Sequence, residues 1–390
     1  MAHGFSQTGG VMKRATLVAG LALCAGGVCA QVNDKPPIVV GAVSSLSGPG
    51  ASAASVQAAR AYFDTINAAG GVQGRRIEYT VIDDQMNTES AQRGASRLID
   101  DPRVVALAGG SSVLECGVNN TRYAQARLFN LPGAGVDPAC FSSTHIAPMN
   151  AGPYVSTANA LTFAHRVLQH QRICVVSPAL PGMTEAFEQT VQDWARRMSA
   201  PVPSLDIYRL EDPLPGVVQR VSSRQCQVLV YTGPEGPSLD WIKASHPAMA
   251  KVPIILLTAS YTSQTARTLG AWSGEGIYAM AEFDPWSSSS MQIADWRRLL
   301  VSRQVEPSSL SQGGYIAARA LVHVMMGMDG PITRTSVSQA LERMPAWRGG
   351  MMDKPFHVGA NGQHALNRSA LPMRLVDGKW RIAHHDWISY

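Results

Sequence analysis

Two short glycine-rich loops, the first also carrying hydroxyl groups, have the residue types that can hold a small anion. Gly109-Gly110-Ser111-Ser112 follows an apolar run and precedes a helical pattern, and Leu131-Pro132-Gly133-Ala134-Gly135 follows another apolar run. A helix that starts after such a loop offers unpaired backbone N–H groups and the positive end of its dipole, which suit a carboxylate. Ser111 or Ser112 can therefore bond a ligand oxygen, with capping of the next helix as the alternative duty. Gly133 and Gly135 can serve only through the backbone, with a plain tight turn as the alternative. Two later loops, Thr232-Gly233-Pro234-Glu235 and Thr258-Ala259-Ser260-Tyr261, also end apolar runs. In them Glu235, Ser260 and Tyr261 are candidate contacts, although a lone loop Glu is usually solvated. Tyr154 is a further candidate wall, or a packed tyrosine.

Catalytic chemistry has little support. H-E-x-x-H, G-x-S-x-G, G-x-x-x-x-G-K-[ST] and G-x-G-x-x-G are all missing from the sequence. Ser112 and Cys116 can be nominated as nucleophiles, but no His and acid are placed beside them by motif. His384-His385 lacks zinc spacing, and the clusters Met325-Met326, Met328 and Met351-Met352 fit packing better than a metal site. Neither a metal nor a cofactor is expected.

Four cysteines, Cys116, Cys140, Cys174 and Cys226, follow the N-terminal region, which holds Cys24 and Cys29. Met12-Lys13-Arg14, the apolar run from Ala15 to Ala25 and the small residues at Val28-Cys29-Ala30 form the pattern of a cleaved secretory signal, residues 1–30, with Met12 as an alternative start. An even number of cysteines in an exported chain favours disulfides. Cys116 with Cys140 is the expected pair, and Cys174 with Cys226 the second. Without Lys13 and Arg14 the formal charge of +5 falls to about +3, too small and too dispersed to argue for nucleic acid.

These residues must be positioned by alternating elements. Val56, Ala59, Phe63 and Ile66 recur at helical spacing up to Gly70-Gly71, and Ile77, Tyr79 and Val81 alternate as a strand. Ala91 to Ile99 reads as a helix ended by Pro102, residues 103–108 as a buried strand, and residues 128–131 as another. After Tyr154 the alternation restarts, with strands expected at residues 172–177, 205–210, 227–231 and 253–258. Short apolar strands alternating with amphipathic helices imply parallel sheets covered on both faces. About 360 residues beyond the signal favour two domains.

The stretch from Val39 to Asp84, with Ser47-Gly48-Pro49 after its first strand, resembles the opening of type I periplasmic solute-binding proteins, the leucine/isoleucine/valine-binding family of ABC importers. Gly314-Tyr315-Ile316-Ala317, Phe356-His357-Val358-Gly359 and Val376-Asp377-Gly378-Lys379-Trp380 resemble that family's closing portion. The resemblance implies an α/β fold of two Rossmann-like lobes joined by a three-crossing hinge. Residues 37–154 with 283–345 would form one lobe, and 155–282 with 346–390 the other. It further implies a periplasmic monomer that captures a small carboxylate-bearing solute, amino acid-like or an aromatic or organic acid, by hinge closure and delivers it to an inner-membrane ABC permease. A sensor domain of the same fold and an exported enzyme are the alternatives. The acid that holds the ligand ammonium in the amino-acid binders aligns with Ser260 or Tyr261, and an aromatic of the first loop with Ala53. An uncharged, even aromatic, remainder on the carboxylate is therefore the expected ligand, unless Glu235 replaces the lost acid.

Overall fold

The computed structural model describes residues 35–390 apart from 49–50, 181 and 273–275. The expected signal segment, with Cys24 and Cys29, lies outside the described residues.

The first sheet is built from β1 (Ile38–Ser44), β2 (Ile77–Asp83), β3 (Val104–Ala108) and β5 (Asn130–Leu131), all parallel, in the order β2-β1-β3-β5. All seven residues of β1 are buried, because helices cover both faces. Those helices are α1 (Ala54–Ala68), α2 (Thr88–Asp100), α3 (Glu115–Ala126) and the short α4 (Ala139–Ser142). Two miniature strands, β4 (Ser111–Ser112) and β6 (Ala134–Gly135), pair beyond the ends of β3 and β5.

The second sheet starts after α5 (Gly152–Thr162), which runs on into a π turn at Phe163–Val167. It comprises β7 (Ile173–Pro178), β8 (Ser204–Tyr208), β9 (Val228–Tyr231), β10 (Ile254–Leu256) and β11 (Ile277–Ala281) in parallel. Between them run α6 (Thr184–Met198), α7 (Leu214–Ser222), α8 (Glu235–Met249) and α9 (Ser263–Thr268).

The chain then returns to the first sheet. Phe283, residues of α10 (Met291–Arg303), α11 (Ser309–Met326) and α12 (Arg334–Glu342), and also Met351, Phe356 and Val358, are buried in one core with β1, β2 and β3. Only at β12 (Ser369–Val376) does it rejoin the second sheet, adding β13 (Lys379–Ile382) and β14 (Ile388–Ser389) antiparallel at the edge. Met351, Phe356 and Val358 fall in the segment expected to belong to the second lobe from residue 346, and they are buried in the same core as residues of α11. The finished second sheet has the order β13-β12-β11-β10-β9-β7-β8.

The two lobes are tied together where the chain crosses. Ala151 N–H donates to Glu282 Oε2 at 2.8 Å, and Asn367 Nδ2 donates to the Glu282 carbonyl at 2.6 Å. Glu282, on the second crossing, is therefore bonded to both of the others. Trp286, just beyond it, packs against the cores of both lobes.

Two disulfides staple the lobes internally. Cys116–Cys140 joins α3 to α4 with Cα atoms 5.1 Å apart, and Cys174–Cys226 joins β7 to the residue pair before β9 with Cα atoms 5.7 Å apart. Among the described residues, no helix is long and apolar enough to cross a membrane, and no group of three or more His, Cys, Asp or Glu side chains is placed to hold a metal.

Candidate functional site

Open α/β sheets offer ligands the crevice beyond the carboxyl ends of their strands, where the strand order reverses. Here the reversals fall between β1 and β3 in one sheet and between β7 and β9 in the other. A cavity of about 490 Å³ lies between the two sets of strand ends. From the first lobe it is lined by Ala51 and Ser52 after β1, Met86 after β2, Ser111 and Val113 after β3, and Ala134, Gly135 and Val136 at β6. From the second lobe come Leu180 and Met183 after β7, Leu210 after β8, Thr232 and Glu235 after β9, and Leu257 and Thr258 after β10. Glu282 after β11 closes the floor at the hinge, and Glu306 to Ser308 lie at the start of α11.

The lining is mostly apolar. Among the described residues its charged members are Glu235, Glu282 and Glu306, with no lysine, arginine or histidine.

The expected site residues divide. Ser111 lines the cavity, and its hydroxyl has no hydrogen-bond partner among the described residues; its backbone is held by Ser44, whose Oγ donates to the Ser111 carbonyl at 2.9 Å. Ser112 is instead buried and committed. Its hydroxyl donates to Asp84 Oδ2 and accepts from Leu114 N–H at 3.1 Å and Glu115 N–H at 2.9 Å, so it caps α3 rather than facing a ligand.

Gly133 and Gly135 answer to packing. A Cβ on Gly133 would stand 2.2 Å from Ser55 Oγ and 2.6 Å from Gly314 N, and its own N–H donates to the Gly110 carbonyl at 2.8 Å. Gly135 does line the cavity, but its N–H and C=O are both taken by the Asn150 side-chain amide, at 2.7 and 2.9 Å. A Cβ there would press on Cys140, 2.8 Å away.

In the second lobe, Glu235 lines the cavity from the first turn of α8 and is not simply solvated: its Oε1 accepts from the hydroxyls of Thr262 and, at 2.8 Å, Thr265. Ser260 is fully buried behind the cavity, its Oγ bonded to Ser238 Oγ at 2.7 Å. Tyr261 is also buried, stacked on Trp286 with ring centroids 4.1 Å apart and planes 7° from parallel, and burial pushes its phenol upward. Tyr154 packs on Phe187 with centroids 5.1 Å apart. Ser112, Gly133, Tyr154, Ser260 and Tyr261 are thus not lining residues. Ser112, Ser260 and Tyr261 were placed near strand ends by sequence, but side-chain direction, which loops do not encode by period, buries them away from the cavity.

Glu282 was not among the residues that the sequence nominated for the site. It is fully buried, and burial raises its carboxyl to about 7, against lowering by the Ala151 N–H, the nearby Ser156 and the Gly152 N–H. Its Oε1 has no hydrogen-bond partner, nor have Ser156 Oγ and Thr258 Oγ1, and all three residues line the cavity. A signal was present: an acid directly after the apolar strand Ile277–Ala281 is poorly placed for solvent.

Comparison with known proteins agrees with this architecture. Among solved structures, a possible leucine/isoleucine/valine-binding protein from Rhodopirellula baltica superposes with a TM-score of 0.79 at 18% identity, covering 91% of this chain and 98% of that one. A fatty acid ABC transporter substrate-binding protein from Thermomonospora curvata gives 0.76 at 16%, covering 90% and 92%. A branched-chain amino acid transporter substrate binding protein from Streptococcus pneumoniae, in complex with isoleucine, gives 0.76 at 14%, covering 91% and 100%. At these identities the likeness is one of fold. No curated protein matches the chain. The sequence model of the periplasmic binding proteins matches residues 37–379, nearly everything the structure describes, and the chain belongs to that family.

Proposed function

We propose that the protein is the solute-binding component of an ABC importer, taking a small, largely apolar solute between its lobes and presenting it to an inner-membrane permease. The observation that carries this reading is the cavity between the two sets of strand ends, whose walls are supplied by both lobes and whose floor is the hinge. A ligand that touches both walls binds the shut form better than the open one, and that difference drives closure. The lobe partition that goes with this mechanism is residues 37–150 with 283–358 against residues 151–282 with 369–390, and the third crossing runs between Val358 and Ser369.

The apolar lining fits the chemistry named for two of the relatives, one a fatty acid carrier and one holding isoleucine. A solute carboxylate, expected from sequence, has the free hydroxyl of Ser111 as its first-lobe donor rather than Ser112 or the amides of Gly133 and Gly135. The test is a thermal-shift panel of apolar amino acids, aromatic acids and fatty acids, followed by small-angle scattering with whichever member binds. The expected outcome is a raised melting temperature for at least one apolar member and a smaller radius of gyration in its presence. A tight binder that leaves the radius unchanged removes the closure mechanism.

A further inference from the structure

Three histidines that do not line the cavity, His145, His357 and His364, come together in the first lobe. His145 follows α4, and its ring centroid lies 5.0 Å from that of Phe129, just before β5. His364 comes to the same phenyl group from far along the chain, with centroids 6.1 Å apart, and its Nε2–H donates to the Ser143 carbonyl at 3.1 Å. His357 Nδ1–H donates to the Met344 carbonyl at 2.9 Å. The backbones of His357 and Ala365 exchange two hydrogen bonds, of 3.2 and 2.8 Å, so residues 357–365 form a closed tongue. The tongue rests on the segment after α4, where a Cβ on Gly362 would stand 3.5 Å from Thr144 Cα. Glu342 of α12 and Arg127, just past α3, are the other charged groups that act on the cluster. His364 Nδ1 is buried and has no hydrogen-bond partner. A proton there would be a buried donor without an acceptor, beside two further imidazoles. Burial accordingly holds His364 below its ordinary value, against the Ser143 carbonyl and with help from His145 and His357, and burial holds His145 low as well.

The bond from His364 to Ser143 closes a circuit through the hinge. From Ser143 the chain runs on to Ala151 on the first crossing, whose N–H donates to Glu282 on the second. Asn367 on the third crossing donates to the Glu282 carbonyl, and His364 stands three residues before it. We propose that residues 357–365 are an acid-released latch: protonation of His364 frees the tongue from Ser143 and leaves the three crossings joined at Glu282 without this second tie, so that the lobes part more readily. The released imidazole takes a proton near its ordinary 6.5 and the latched one only at lower pH, so the latch is fully made well above 6.5 and is lost as pH falls below it. For one histidine the release constant rises by up to about tenfold per pH unit across that window. Weaker retention of a solute in acid is a consequence that rests on the solute-binding reading above; the latch itself does not.

Hydrogen exchange read by mass spectrometry on the unliganded protein, corrected for the intrinsic pH dependence of exchange, tests the latch. Between about pH 7.5 and about pH 5, peptides covering residues 357–365 should lose protection about tenfold, while those covering β9 should not lose theirs. Small-angle scattering should give a larger radius of gyration in acid. His364→Gln offers Ser143 a donor that does not titrate, and it should hold both protection and radius constant over that range. Glu282 titrates in the wild type and the variant alike, so the comparison between them removes its share. His145→Asn leaves the bond to Ser143 in place and takes away a neighbouring imidazole; it should reduce the acid loss severalfold, and it decides the matter should His364→Gln fail to fold. Protection of residues 357–365 that is equal at both pH values, or that is lost as fully in the variants as in the wild type, overturns the latch. Release of the tongue with an unchanged radius overturns its hold on the crossings, and neither result touches the solute-binding reading.

Discussion

Two fully buried glutamates show how much a single residue can carry. Glu115 accepts from Tyr123 Oη at 2.5 Å and from Asn130 Nδ2 at 3.0 Å, while Glu282 keeps one oxygen unbonded. Burial raises both carboxyls to about 7, above their ordinary value of 4.5. A folded-state pKa raised above the unfolded one means that the native chain holds protons the unfolded chain has released between those two values. Stability therefore falls as pH rises through that window, by roughly 3 kcal/mol per group at most. The melting temperature should be higher at pH 5.5 than at pH 8, and Glu115→Gln should flatten the difference without lowering the pH 8 value. A melting temperature that climbs steadily from pH 5.5 to 8 would contradict the assignment of these two groups. Below the window the balance turns: Asp83 and Asp101 are held low by hydrogen bonds from Ser47 and Arg103 together with backbone N–H groups, and their contribution is lost as they protonate.

At the scale of elements, close approach of backbones explains the glycines better than ligand contact does. The helices α1 and α11 meet at Ser55 and Gly314, where a Cβ on Gly314 would stand 1.9 Å from the Ser55 carbonyl oxygen, and one on Gly313 would stand 2.1 Å from the Gly133 carbonyl oxygen. Both partners are backbone, so neither can swing aside. Gly314→Ala should cost about 1–3 kcal/mol in denaturant unfolding, the usual range for overpacking. Gly216 makes the opposite case: it is exposed, lies inside α7 and has nothing within 4 Å of its added Cβ. Gly216→Ala should stabilise by about 0.4–1 kcal/mol through the entropy of the unfolded chain. The same element-level reading covers the last hairpin. Asp377 and Gly378, with φ of 49° and 66°, make the two-residue turn between β12 and β13, a sequence signal that sits inside the closing motif.

Across the whole molecule, the two lobes also meet at the rim of the cleft. Ser263, at the start of α9, donates through its N–H to the Pro307 carbonyl at 3.2 Å and through its hydroxyl to Glu306 Oε2 at 2.6 Å. Arg267 reaches the same carboxylate at 3.2 Å, and Ser309 N–H donates to the Tyr261 carbonyl at 3.2 Å. These bonds link the second lobe to the start of α11. Because the Arg267–Glu306 pair is exposed, it contributes only about 0.2–1 kcal/mol. Glu306→Ala should therefore weaken solute affinity by no more than about fivefold, mainly through faster release, and should enlarge the unliganded radius of gyration in small-angle scattering. An unchanged radius and off-rate would mean that the rim contacts contribute nothing to closure.

The order of strands and helices was legible in the sequence because hydrophobic period is a local property. The seven buried residues of β1 and the spacing of Val56, Ala59 and Phe63 in α1 announce their elements without reference to anything else. The order of the motifs pointed to a two-lobed binding protein, and the even cysteine count to the bridges Cys116–Cys140 and Cys174–Cys226, which the structure contains. Strand ends were found, and with them the loops that reach the cavity at Ser111, Gly135 and Glu235. The direction of each loop side chain was not. Ser112 turned to Asp84 and the start of α3, Ser260 to Ser238, and Tyr261 to Trp286, since loops lack a repeat that would assign faces. Glu282, Ser156 and Thr258 lie far apart in the chain and share one cavity floor only because β10, β11 and α5 converge at the hinge. Long-range convergence of that kind leaves no local pattern, so it is decided by the tertiary structure alone.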